Sequence, residues 1–428
     1  MNSETHSIPV ITREALEFEQ SQWSSGSVHN DPFYSMVQSP ALATLPPGKL
    51  LKLERTTDTS LYSLPAATAL SRIVYQSKTL SGENVPVAAF ILWPHAPRST
   101  NDGYQVVAWA HGTSGISPNS APSHTKNLWQ HFNGPYALAL QGHVVVGTDY
   151  AGMGVSVTAA GKPIKFEYLG FPSHANDVIY SVQAAQNAFP ELSKSFVVTG
   201  HSQGGGTAWA VAQRQFHEPV EGYLGSIAFS PITDFTAEPE PFGSIMGAAA
   251  TPAIEAAFPD FNRADVLTEV AVVRLGLIQE ADGGLATALT LLAGIQLTKP
   301  GWTENSSVKK FLSVTSNGRK PISGPLLVIH GDLDTRVSFE VAEEAVEETA
   351  MMFPDADIEF LHLEGVNHES AMVSVQWEWM DWIQRRFEGV PTEKGLRRKV
   401  VKAVRPVEAY QRDVNWYIAP STNFWETP

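Results

Sequence analysis

The pentapeptide Gly200-His201-Ser202-Gln203-Gly204 is the first place in this chain where residue types and spacing point to chemistry. A serine hydroxyl is a weak nucleophile until a base takes its proton and a carboxylate orients that base. A G-x-S-x-G run is short enough to arise by chance, so its surroundings decide its weight. Residues 195–199 form an apolar, β-branched run that reads as a strand, and 204–214 form a small-residue run that reads as a helix. A strand, a sharp turn and a helix together are the setting that holds a serine exposed as a nucleophile. Glycines at 200 and 204 suit that turn, because side chains there would collide with the neighbouring strand and helix. The blander alternative is a glycine-rich turn with an unreactive serine.

A carboxylate and then a histidine should follow such a serine along the chain. Asp334 lies just past the strand-like run 325–330, where a side chain reaches the active edge of a sheet. Asp332, nearer the strand, is the competitor and is better suited to forming the turn. His368, in Gly365-Val-Asn-His368, comes after the last strand-like run and before a helical run at 371–387, the place for a general base. His330 and His362 are accounted for by their strand positions, and His201 by the turn. An oxyanion would need backbone donors. Gln203 N–H is one, and the loop 109–115 offers Gly112, Thr113 or both, with the Thr113 hydroxyl as a further donor. Further candidates for lining the site are His111, Asp149, Tyr150 and His201; Asp149 and Tyr150 equally suit a structural role in their loop.

These residues need a scaffold. Runs at 105–110, 143–147, 195–199, 225–229, 325–330 and 357–362 have the apolar character of strands buried on both faces. Helical patterns at 173–189, 204–217 and 339–352 alternate with them. Runs at 71–78 and 86–93 flank a turn at Gly82-Glu-Asn and read as an antiparallel hairpin. The alternation predicts an α/β chain with a mostly parallel, doubly wound sheet. With the serine turn it predicts the α/β-hydrolase fold. No strand pattern falls between about 234 and 320, and so long a stretch should carry structure of its own. It reads as an inserted helical cap. The expected organisation is an N-terminal arm (1–69, irregular over 1–50), a first core part (70–234), the cap (235–320), a second core part (321–388) and a C-terminal extension (389–428).

The 428 residues are 43% hydrophobic and 17% charged, which suits one large core with an insertion. A net charge of -15 argues against a nucleic-acid partner. The basic run 394–405 reads as a solvated helix face. The absence of cysteine excludes disulfides, thiolate metal sites and a cysteine nucleophile, and it suits a reducing compartment. Neither a metal motif nor a phosphate loop is visible, so no metal or cofactor is expected. No basic-then-apolar leader and no long uninterrupted apolar run are visible, so a cytoplasmic protein without a membrane span is expected.

Several segments together resemble the fungal secretory lipase family, the lipase A type, over about 31–387. They are Asp31-Pro-Phe-Tyr34, the hairpin 71–93, His111-Gly-Thr-Ser-Gly115 leading to Ala121-Pro-Ser123, and Gly147-Thr-Asp-Tyr150. The serine turn, Gly331-Asp-Leu-Asp334 and Gly365-Val-Asn-His368 complete the set. The resemblance implies a catalytic triad at Ser202, Asp334 and His368, and a helical cap between the sixth and seventh sheet strands. Secreted members carry disulfides and a leader, and a cysteine where this chain has Ser120. The chain is more similar to the family's cytosolic esterases of secondary metabolism, such as trichothecene deacetylases. The implied substrate is a small or medium ester. Acyl transfer, lactone formation and triacylglycerol hydrolysis are alternatives on the same acyl-enzyme.

Overall fold

The structure, a computed structural model, describes residues 8–411 and 421–426. The first seven residues of the expected arm, and 412–420 and 427–428 of the expected extension, lie outside the described residues. Eleven strands form one sheet: β1 (Leu50–Glu54), β2 (Thr68–Lys78), β3 (Asn84–Pro94), β4 (Ser99–Thr100), β5 (Gly103–Ala110), β6 (Val144–Thr148), β7 (Leu192–His201), β8 (Tyr223–Phe229), β9 (Leu326–Gly331), β10 (Asp357–Leu363) and β11 (Gly395–Val401). Their order is β1-β2-β3-β6-β5-β7-β8-β9-β10-β11, with β4 on β5. Every neighbouring pair from β6 to β11 is parallel. The β2–β3 hairpin, β1 on β2, and β3 on β6 are antiparallel. The mostly parallel, doubly wound sheet expected from the sequence is the one that forms.

Period-two alternation sends strand residues to opposite faces. Val106, Ala108 and Ala110 pack with Phe171, Val178 and Val182 of the helix Phe171–Ala188. Val107, Trp109, Val145 and Val197 pack on the other face with Trp379 and Trp382 of the helix Gln376–Phe387. Both faces are therefore dry, which is why these strands read as unbroken apolar runs. Each fully buried large side chain contributes about 1.5–3 kcal/mol.

Between β8 and β9 lie the helices Phe242–Ala257, Glu269–Ala281, Leu285–Leu292 and Ser306–Thr315. The chain runs from β5 to β6 on one side and then to β7 on the other. The C-terminal ends of β5 and β7 are thus side by side, with Ala110 opposite Gly200. The crevice beyond such a switch in strand order is where α/β sheets bind ligands.

Three expectations fail. The stretch 1–50 is not irregular throughout: it contains the helix Val10–Ser21, whose Ala15 and Phe18 pack on Ala286 and Trp425. The run 371–387 is two helices, Ala371–Ser374 and Gln376–Phe387. The basic run 394–405 is no helix face; residues 395–401 form β11, in parallel register with β10 from Asp357↔Gly395 to Leu363↔Val401. Its cations are held by acids from elsewhere: Arg397 by Asp357 at 2.6 Å, Arg398 by Glu343 at 2.9 Å, and Lys399 by Glu378.

Candidate active site

β7 ends at His201 and the helix Gln203–His217 begins one residue beyond Ser202. Ser202 makes the turn between them at φ 60°, ψ -119°, a strained conformation for a residue with a Cβ. Its N–H donates to Phe229 O at 2.9 Å, which ties the turn to β8. The glycines are required sterically. A methyl on Gly200 would overlap the carbonyl of Gly204, and one on Gly204 would overlap the carbonyl of Ala110 at the end of β5.

Asp334 stands three residues past β9 with its side chain fully buried. Its Oδ2 accepts from His368 Nδ1 at 2.6 Å and from His330 Nε2 at 3.1 Å. Its Oδ1 accepts from the backbone N–H groups of Arg336 and Val337, both at 2.9 Å. Burial alone would raise the pKa of this carboxyl. The charge and hydrogen bonds of His368 and His330 outweigh burial and hold it well below the usual carboxylate range. Asp332 instead accepts from Gly365 N–H at 2.7 Å and His362 Nε2 at 3.1 Å, a turn-forming role. His330, set aside in the sequence as a strand residue, is a second partner of Asp334, four positions before it.

Ser202 and His368 face one cavity of about 80 Å³, which Gly112, Thr113, Gln130 and His201 also line. Its apolar wall comes from Trp129, Tyr168, Ile232, Phe242, Ile245, Met246, Leu285, Leu289 and Val337. Five of these belong to the helices between β8 and β9. Arg336 joins the rim and pairs with Glu369 at 2.6 Å. No hydrogen bond joins Ser202 Oγ to His368, although both face the same cavity.

The loop after β5 is arranged differently from the expectation. Gly112 N–H donates to Gln130 Oε1 at 2.7 Å and is already engaged. The Thr113 hydroxyl donates to Gln203 Oε1 at 3.1 Å, with Tyr168 OH also 3.1 Å away, so its proton is engaged too. Thr113 N–H has no hydrogen-bond partner among the described residues. Gln203 N–H, at the first position of its helix, has no intrahelical partner.

Three of the candidate lining residues, His111, Asp149 and Tyr150, do not line the cavity, and for Asp149 and Tyr150 the structural alternative is the one seen. The Asp149 carboxylate is fully buried, accepts from Ser123 N–H at 2.8 Å and from the Ser123 hydroxyl, and is pushed up to about 7 by burial. Tyr150 donates its hydroxyl to His111 O at 3.1 Å and stacks on the His111 ring at 4.3 Å. These contacts fix the floor under the loop after β5. Of the four candidate lining residues, only His201 reaches the cavity. Nothing in the sequence distinguishes Gln130, Tyr168 or the side chains of the helices between β8 and β9 from ordinary core residues.

Among the described residues no cluster of His, Asp and Glu could hold a metal ion. Among them, too, no helix is long and apolar enough to cross a membrane.

A model of the alpha/beta hydrolase family matches residues 107–380. No curated protein matches the sequence significantly. Among solved structures, lipase A of Candida antarctica in its closed state is similar with a TM-score of 0.68 at 15% identity, over 87% of this chain and 89% of that one. The rice cell wall degrading esterase LipA of Xanthomonas oryzae is similar with a TM-score of 0.63 at 18% identity, over 79% of this chain and 100% of that one. A putative hydrolase of Legionella pneumophila is similar with a TM-score of 0.61 at 15% identity, over 79% of this chain and 94% of that one. At these identities the likeness is one of fold.

Proposed function

From the premise that this chain belongs to the alpha/beta hydrolase family, we propose that it is a serine carboxylic-ester hydrolase acting on small or medium esters. The observation that carries the reading is the buried Asp334–His368 pair facing, in one cavity, a serine held in a strained strand-to-helix turn. His368 takes the proton of Ser202 as its oxygen attacks the ester carbonyl, and Asp334 holds the imidazole in the tautomer that can accept it. The N–H groups of Gln203 and Thr113 hold the oxyanion. His368 gives that proton to the departing alcohol and, neutral again, activates the water that cleaves the acyl-enzyme.

The cavity favours a short acyl group. At about 80 Å³ it is well below the roughly 300–1,000 Å³ of pockets that enclose drug-sized ligands. Its apolar wall suits an alkyl chain rather than a charged one. Acetyl esters, including those of secondary metabolites, are the substrates proposed, with the reaction in the cytoplasm.

The test is hydrolysis of p-nitrophenyl esters from acetyl to palmitoyl by the wild type and Ser202→Ala, with fluorophosphonate labelling. Labelling at Ser202, loss of turnover in the variant and preference for acetyl support the reading. Full turnover by Ser202→Ala refutes it, and preference for long chains at an oil interface refutes the substrate class.

A further inference from the structure

We infer that Gln130 is a positioning residue that holds the oxyanion loop in register with the nucleophile turn and the general base. The inference rests on the assignment of Ser202 and His368 above.

Gln130 lies between β5 and β6, far along the chain from the residues it joins, and is only 4% exposed although it borders the cavity. Its amide makes two bonds of opposite sense. Oε1 accepts from Gly112 N–H at 2.7 Å, and Nε2 lies 2.8 Å from His201 Nδ1. An amide nitrogen can only donate, so His201 Nδ1 accepts. The proton of a neutral His201 ring is then on Nε2, which donates to the carbonyl of His368 at 2.9 Å. Burial, helped by the neighbouring His368, pushes His201 down to about 3, so the neutral ring assumed here is the stable one.

One side chain thus links three parts of the site: the loop that carries Thr113 N–H, the residue before the nucleophile, and the backbone of the base. Gly112 directly precedes Thr113, so anchoring the Gly112 N–H fixes the peptide plane next to the one that carries the free donor. A second chain of bonds, Tyr168 OH to Thr113 Oγ1 to Gln203 Oε1, runs between the two proposed oxyanion donors. Neither chain leaves the loop free to drift.

The segment that presents Gln130 is itself strained. Leu128, Trp129 and His131 all have positive φ, at 52°, 68° and 32°. Three non-glycine residues in that region within four positions persist only where the surroundings over-determine the backbone, and such clusters occur at functional sites.

The test compares p-nitrophenyl acetate with the matching thionoester, whose sulfur fits an oxyanion site poorly; the ratio of their kcat/KM values reads the oxyanion geometry. Gln130→Met fills the same space but takes no N–H from Gly112. It is expected to lower kcat by about tenfold or more with KM within about twofold, since misplacing a reacting group by an ångström costs up to about a hundredfold. Its oxygen-to-sulfur ratio should fall in step. Gln130→Glu keeps an acceptor for Gly112 N–H but sets a carboxylate oxygen against the accepting His201 Nδ1, so its ratio should stay nearer that of the wild type than the Gln130→Met ratio does while its kcat still falls.

A residue that merely packs predicts the reverse: methionine tolerated, a buried carboxylate disruptive. A Gln130→Met enzyme with wild-type ratio and kcat overturns the proposal, even if Gln130→Glu does not fold. If Ser202→Ala retains turnover, the active-site assignment itself fails. If Ser202 labels with fluorophosphonate and Gln130→Met leaves the ratio unchanged, only the positioning role fails.

Discussion

Asp334→Asn is isosteric, yet the surroundings of Asp334 dictate how the amide must sit. Oδ1 takes two backbone N–H groups, from Arg336 and Val337, each at 2.9 Å. That side needs an acceptor, so the amide carbonyl stays there and the NH2 replaces Oδ2. It then faces His368 Nδ1 at the position now 2.6 Å away, and His330 Nε2 at the position now 3.1 Å away. His368 must accept at Nδ1, which puts its proton on Nε2 and leaves no site for the proton of Ser202. The wrong tautomer costs about 10⁴ in kcat, or about 5.4 kcal/mol at 1.36 kcal/mol per tenfold. The escape is to flip the amide, which leaves two buried N–H groups unpaired at about 1–3 kcal/mol each, hence about 2–6 kcal/mol. At the cheap end of that range about one molecule in thirty would be active. The expected loss in kcat therefore lies between about 30-fold and 10⁴-fold, with KM little changed. The assay is steady-state hydrolysis of p-nitrophenyl acetate, with circular dichroism to confirm folding. Asp332→Asn is the control and should stay near wild type, because its amide oxygen can still accept from Gly365 N–H and its other partner, His362, does not line the cavity. An Asp334→Asn enzyme that kept more than a tenth of the wild-type kcat would refute the assignment of Asp334.

Other perturbations test the scaffold. Gly204→Ala pushes the nucleophile helix from the end of β5; overpacking of this kind costs about 1–3 kcal/mol in urea unfolding, and kcat should fall about a hundredfold. Glu238, buried against Ser338 N–H at 2.6 Å, is pushed by burial up to about 8 from 4.5. A raised folded pKa gives stability that is complete below about 4.5 and is lost as pH rises to about 8, so Glu238→Gln should narrow the gap between urea midpoints at pH 5 and pH 8. An equal gap in the variant would contradict the burial argument. Glu19 accepts from Gly284 N–H at 2.9 Å and from Thr287 N–H at 3.1 Å, at the start of the helix Leu285–Leu292. Glu19→Ala should cost about 0.5–2 kcal/mol in thermal unfolding and raise KM more than it lowers kcat, because Leu285 and Leu289 wall the cavity.

What could be read from the sequence followed the range of the interactions. The serine turn is legible because its signature is local: glycines stand two positions either side of Ser202, and the strand and helix flank them directly. Asp334 was preferred to Asp332 on loop position alone, and the structure pairs Asp334 with His368. The charges of β11 look like a solvated face in the sequence because Asp357, Glu343 and Glu378, which hold them, come from other segments. The helix Val10–Ser21 leaves no local mark in the sequence, because the contacts of its Ala15 and Phe18 are with residues more than two hundred positions away.

Gln130 is the extreme case. A neutral amide 71 residues from its partner His201 has no spacing rule to betray it, and only the chain of donors and acceptors shows what it holds. The residues that perform chemistry carry demands their neighbours must meet, and those demands leave local marks. The residues that aim them need only one well-placed donor or acceptor, which almost any loop can supply. Gln130→Met, a substitution that looks harmless in the sequence, should therefore still cost about tenfold or more in kcat.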